Sequence, residues 1–152
     1  MQDCVFCRIV AGEVAAHRIW EDEAHLAFLS IFPNTLGVSV VVTKIHYPSY
    51  AFDLPNDTLA QFVIAVKEVA RLLDQKLEDV GRTGAVLEGF GIDHVHAKLY
   101  PLHGTKMDQW HPIPSSVDKY FETYEGYISS HNWRRADDEE LARLAEMIRE
   151  QC

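Results

Sequence analysis

Residues Asp93-His94-Val95-His96-Ala97-Lys98-Leu99-Tyr100 place two imidazoles and one ammonium at alternate positions. On an extended chain alternate side chains share a face. His94, His96, Lys98 and Tyr100 therefore stand on one side, with Val95, Ala97 and Leu99 on the other. Such a row has two chemical uses. Imidazoles on one face can hold a transition metal, with Asp93, Glu88 or cysteines completing the shell. Alternatively, one neutral imidazole attacks phosphorus while neighbouring cations hold the phosphate oxygens. Lys98 would then lower the pKa of His96 and keep it unprotonated near neutrality. A polar face turned to water is the plain alternative; Lys98 and the preceding Gly89-Phe90-Gly91 loop favour a site. Cys4-Val5-Phe6-Cys7 is the second candidate. Two thiols so spaced can be metal ligands or simply small packing residues, and a redox role lacks its usual strand–helix setting.

The elements that position these groups are legible from periodicity. Cys4 to Ala11 reads as a helical turn ending at Gly12, and Arg18–Glu21 and His25–Ser30 as short strands around an acidic turn. Gly37 to Thr43 is rich in β-branched residues and suits a buried strand. From Asn56 to Leu77, Leu59, Phe62, Val63, Val66, Val69, Ala70 and Leu73 recur with helical spacing. Pro55 fits that helix's first turn. Gly84–Glu88 and His94–Tyr100 return to strand character. The Pro- and aromatic-rich stretch from Pro101 to Asn132 carries no clear assignment. A final helix begins near Asp137, with Glu140 three residues on as a capping box and Leu141, Leu144, Ala145 and Ile148 as its apolar stripe. This order predicts an α+β fold with an antiparallel sheet of about five strands, one long helix and a C-terminal helix.

The whole chain, residues 1–152, is expected to form one domain with a core over 4–103. At 47% hydrophobic and 24% charged it is not a disordered composition. A net charge of −9 argues against nucleic-acid or anionic-membrane partners. The N-terminus has no signal-peptide pattern and no apolar run is long enough to span a bilayer. Three cysteines make no disulfide framework, so a reducing, cytoplasmic setting is expected.

Cys4–Glu13, Trp20-Glu21-Asp22, Leu26-Ala27-Phe28, Val41–His46 and His94-Val95-His96 follow, in order, the pattern of histidine-triad (HIT) proteins. The chain resembles that family over most of residues 4–103. The resemblance implies a HIT-like fold, a homodimer and a hydrolase or nucleotidyltransferase acting on nucleotides or nucleotide conjugates. His96 would attack a nucleotide α-phosphate to give a nucleotidyl-histidine, with Lys98 as a phosphate clamp. It also implies a structural zinc held by Cys4, Cys7, His46 and His94. Phe6, Ile9, Phe28 and Ile31 match positions that wall the base or ribose pocket, although core packing explains them equally well. The chain departs from the pattern where Lys98 replaces the third histidine, Ser30 the ribose-binding acid and Leu87 an asparagine. The stretch before the triad is shortened to Phe90-Gly91-Ile92-Asp93.

Other residues carry less. His103, with Lys106, Trp110 and His111, could reach leaving-group phosphates, and an exposed loop position is the simpler reading of each. Trp133-Arg134-Arg135 could supply a cation. His17, His25 and His131 read as surface residues, and Asp137–Glu140 as a first turn matched to the helix dipole. Two further readings remain open: a nucleotide-binding or regulatory module that keeps the zinc but has weakened catalysis, and a catalytic metal on His94 and His96.

Overall fold

The computed structural model describes residues 4–116, 120–126 and 134–149. Tyr127, His131, Asn132, Trp133 and Cys152 lie outside the described residues. Among the described residues three α-helices and five strands follow one another, with a short 3-10 turn at Ala51–Asp53 before the second helix: α1 (Val5–Val10), β1 (Arg18–Glu21), β2 (His25–Leu29), β3 (Ser39–Thr43), α2 (Asn56–Lys76), β4 (Thr83–Val86), β5 (His96–Pro101) and α3 (Asp138–Arg149). The strands form one antiparallel sheet in the order β1-β2-β3-β5-β4.

The β-branched run Ser-Val-Val-Val-Thr becomes β3, buried throughout and paired with β2 on one side and β5 on the other. Its alternation divides the core in two. Val41 faces the same way as Ala27, Leu29, Ala97 and Leu99, and this layer packs on Phe62, Ala65, Val69 and Leu73 of α2. Val40 and Val42 face the other way with Leu26 and Phe28, covered by Phe6 and Ile9 of α1. Leu141, Ala145 and Ile148 of α3 join the α2 layer. Each such large apolar side chain contributes roughly 1.5–3 kcal/mol on burial.

The register carries the chemistry to a fixed place. Val42 pairs with His96, and Val40 and Val86 flank Lys98. The link from β4 to β5 is stitched down by Asp93, whose Oδ1 accepts the Ser49 amide at 2.9 Å, and by the Val95 amide donating to the Tyr47 carbonyl at 2.9 Å. Gly89 has φ +71°, and a Cβ there would meet the Ser49 carbonyl oxygen at 2.7 Å, so this turn requires glycine.

Several expectations need correction. His94 precedes β5 rather than beginning it. Val63 is half exposed, because the buried stripe of α2 runs through Ala65 instead. His25 is buried against Phe62, and its Nδ1 faces the Asp22 carboxylate at 3.1 Å. His17 is mostly covered, with Nε2 at 3.0 Å from Asp138. Asp138 thus does more than suit a helix dipole: it ties α3 to the segment before β1. Asp137 does cap α3, accepting the amides of Glu139 and Glu140 at 3.0 and 3.1 Å.

Candidate active site and metal centre

His94 and His96 are both buried, at 0% and 3% exposure, because α1 covers the face of β5 that alternation assigns to them. The Phe6 ring meets both edge-on, with centroids 5.9 Å from His94 and 5.3 Å from His96. Main-chain carbonyls set the two tautomers. Nε2 of His94 lies 2.8 Å from the Thr43 carbonyl and must carry the proton, which leaves Nδ1 with its lone pair. Nδ1 of His96 lies 2.7 Å from the His94 carbonyl, so on His96 the lone pair belongs to Nε2. Burial is the largest influence lowering the pKa of His96, with Lys98 adding to it. Lys98 was the expected cause; desolvation outweighs it.

The free nitrogen of His94 points at sulfur. Its Nδ1 is 3.4 Å from Cys4 Sγ and 3.6 Å from Cys7 Sγ, while His46 Nδ1 is 3.3 Å from Cys7 Sγ. One ligand atom from each of Cys4, Cys7, His46 and His94 lies within 4.8 Å of the others, which makes a possible metal-binding group. The donor set fits zinc. Tetrahedral bonds of about 2.3 Å to sulfur and 2.0–2.1 Å to nitrogen put sulfur and nitrogen about 3.5 Å apart. Burial, then the adjacent Cys4 thiol, push the Cys7 thiol up, and a dication between the sulfurs would oppose both effects. The His94 bond to the Thr43 carbonyl is the outer-shell contact that orients a ligating imidazole.

Beside His96 opens a cavity of about 400 Å³, lined among others by Phe6, Ile9, Phe28, Ser30, Ile31 and Lys98. Seven of the residues singled out in the sequence thus meet around one space. His103 does not. Its Nδ1 faces Asp79 at 2.9 Å and its Nε2 the Leu36 carbonyl at 2.8 Å, on the wall of a second hollow with Trp110 and His111. Ser30 Oγ accepts the Phe32 amide at 3.2 Å. Lys98 is engaged as well, with Nζ 3.8 Å from Glu88 Oε1. The other carboxylate oxygen of Glu88 accepts the Tyr124 hydroxyl, and the Tyr124 ring lies 5.7 Å from Phe90. Sequence reasoning assigned Glu88 only a possible metal role and gave Tyr124 none; a contact 36 residues apart in sequence leaves no local signal. Burial, then Glu88 and Tyr124, push Tyr100 up to about 12, so its hydroxyl keeps its proton.

A sheet of this order, with paired histidines entering its penultimate position, defines a HIT fold, and residues 11–105 match the HIT domain. The chain belongs to the HIT family. It is 37% identical over 104 residues to an uncharacterized HIT-like protein of Methanocaldococcus jannaschii, covering 66% of this chain and 79% of that one. It is 29% identical over 98 residues to an adenosine 5′-monophosphoramidase of Schizosaccharomyces pombe, covering 64% and 73%. The crystal structure of a zinc-bound histidine-triad protein from Mycobacterium smegmatis shares the fold at TM-score 0.69 and 24% identity, over 97% of this chain and 91% of that one. Among the described residues, no helix is long and apolar enough to cross a membrane.

Proposed function

We propose that this chain is a nucleotide hydrolase or nucleotidyltransferase that works at a nucleotide α-phosphate through His96. One observation carries the reading: the His94 carbonyl holds the proton of His96 on Nδ1, leaving an electron pair on Nε2 of a residue that lines the cavity. In the first step that pair bonds to the α-phosphorus and the bond to the leaving group breaks, its electron pair departing on that group, which takes a proton from water when it is an amine; the product is a nucleotidyl-histidine. In the second, water or another acceptor bonds to phosphorus and gives up a proton to solvent, while the nitrogen–phosphorus bond breaks and its pair returns to Nε2, regenerating the imidazole. Lys98, one position along the same face, holds phosphate oxygen through its charge. Phe6, Ile9, Phe28 and Ile31 wall the base or ribose, and Ser30 offers the cavity a hydroxyl.

Cys4, Cys7, His46 and His94 would hold a zinc whose role is to pin α1 against the strand bearing His96. A catalytic metal shared by His94 and His96 is not favoured, since among the described residues the ligand atoms gathered around His94 are those of Cys4, Cys7 and His46, without His96. A second copy of the chain is the proposed macromolecular partner. Edge strand β4 supports it, because Thr-Gly-Ala-Val carries no charge to discourage strand pairing. The free thiols suit a reducing, cytoplasmic setting.

The monophosphoramidase relative guides the test. Incubated with labelled adenosine 5′-phosphoramidate and quenched in alkali, the protein is expected to retain an acid-labile adenylyl group that His96→Ala does not. Turnover by His96→Ala would end the covalent reading. The second reading, a binding module with weakened catalysis, is favoured by the engagement of Lys98 with Glu88 and of Ser30 with Phe32. Saturable nucleotide binding with neither adduct nor product would establish it.

A further inference from the structure

Glu88 and Tyr124 have no part in the proposed chemistry, yet together they reach its cation. Val86 at the end of β4 pairs with Lys98, and paired residues share a face of the sheet. Two residues on, alternation returns Glu88 to that face. Its side chain is only 10% exposed, a low value for a carboxylate. Its Oε1 lies 3.8 Å from Lys98 Nζ, and its other oxygen accepts the Tyr124 hydroxyl. One carboxylate thus serves two donors, one on β5 and one 36 residues further along the chain.

The two contacts are unequal. At 3.8 Å the ion pair with Lys98 is too long for a hydrogen bond, whereas close ammonium–carboxylate contacts run to about 2.7–2.9 Å. Closing that gap would strengthen the attraction by about a third and add a charge-assisted hydrogen bond. Lys98 lines the His96 cavity and Glu88 does not, so a closed pair would take the ammonium's charge away from an anion there. The Tyr124 hydroxyl opposes closure, because its own bond to the carboxylate draws on that charge and fixes the group's orientation. Tyr124 is held in turn by its ring, which lies 5.7 Å from that of Phe90 at 31°. Phe90 follows Gly89, whose φ of +71° shapes the turn. The raised pKa of Tyr100 reflects the same neighbourhood, since Glu88 and Tyr124 both contribute to it.

We propose that Tyr124 is a positioning residue for Lys98: by holding the Glu88 carboxylate off the ammonium, it keeps that charge for a phosphate in the His96 cavity. The inference rests on the cavity taking a nucleotide phosphate beside Lys98, and not on the bond-breaking steps at His96. Tyr124 does not line that cavity. It acts through Glu88, and Glu88 acts through Lys98. A segment well beyond the catalytic strand thereby sets how strongly the site holds an anion.

The test measures the dissociation constant of adenosine 5′-monophosphate by calorimetry in the full-length protein, a quantity independent of turnover. Tyr124→Phe removes the hydroxyl and keeps the ring against Phe90. It is expected to weaken binding about five-fold, a coupling usual within one charged network. In a Lys98→Met background the same substitution should change binding by less than about two-fold, and likewise in a Glu88→Gln background. A loss that persists in either background would overturn the inference, since Tyr124 would then act by another route. Binding by Tyr124→Phe that equals or exceeds that of wild type would overturn it too, and leave the nucleotide reading intact. Wild type that fails to bind the monophosphate would overturn both.

Discussion

Nδ1 of His96 sits 2.7 Å from the main-chain oxygen of His94, so the backbone of a proposed zinc ligand orients the proposed nucleophile two residues on. The imidazole of His94 is itself anchored to Thr43 at 2.8 Å. Thr43 lies on β3, next to the Val42 that pairs with His96. Two imidazoles are thereby given opposite tautomers by two main-chain carbonyls, one at the end of β3 and one just before β5.

Replacing His96 removes the nitrogen proposed to attack without disturbing that anchor. His96→Ala is expected to lower kcat/KM for a nucleoside phosphoramidate roughly 10³-fold or more. Its melting temperature should change much less than that of a His94 variant, since His94 is fully buried between Phe6 and the thiols. Steady-state kinetics beside thermal melts check both halves.

Removing the metal or a thiol should act on stability first. Cys7→Ser is expected to lose close to one equivalent of zinc and to melt several degrees lower, with about 2–4 °C corresponding to each kcal/mol in a chain of this size. Catalysis should fall with it and yet exceed that of His96→Ala. Zinc stoichiometry by elemental analysis and a melt with and without chelator decide the matter; an unchanged melt after zinc removal would count against a structural role.

Lys98 and Glu88 should have opposite effects on an anionic substrate. Lys98→Met removes a cation from the cavity wall and is expected to raise KM roughly ten-fold or more. Glu88→Gln releases Lys98 from its neighbour and is expected to lower KM several-fold. A rise in KM for both variants would mean that Glu88 places the ammonium usefully rather than competing for it.

His103 gives stability a dependence on pH. The Leu36 carbonyl, and after it the Asp79 carboxylate, raise its pKa above the ordinary value. The folded state therefore holds this proton more tightly than the unfolded chain. Its contribution is complete below about pH 6.5, the unfolded value, and is lost as pH rises through the higher folded value. Asp79 is shifted down, chiefly by His103, so its own contribution is complete above about pH 3.9 and lost as pH falls through the lower folded value. Melting temperatures from pH 4 to 9 should decline on the alkaline side in wild type and decline less in His103→Ala.

Much of this was legible in the order of residues. Alternation along Val95–Tyr100 placed Ala97 and Leu99 against α2 and His96 against α1, because a pleat admits only two faces. The thiols and His46 could be named as a set only through the family resemblance, since 39 residues separate Cys7 from His46. His25 was misread because a histidine beside an acidic turn looks solvated, whereas its hydrogen bonds to Asp22 let it enter the core edge. His103 was a candidate for nucleotide contact, beside the simpler exposed-loop reading, because it follows the strand of His96 closely. The chain turns after Pro101, and that turn carries the ring to Asp79 and Leu36. Pairing of Glu88 with Tyr124 and docking of α3 through His17 are long-range contacts that no window of sequence contains.

Helix α1 is only six residues long; Cys4 immediately precedes it, Cys7 lies within it, and it supplies Phe6 and Ile9 to the cavity beside His96. Ligand thiols and pocket wall are thus the same turn of chain. An oxidant that consumes the two sulfurs would take away more than an ion: it would unfasten one side of the cavity beside His96. The proposed His96 chemistry would therefore be tied to the redox state of its surroundings, although no cysteine lines the cavity.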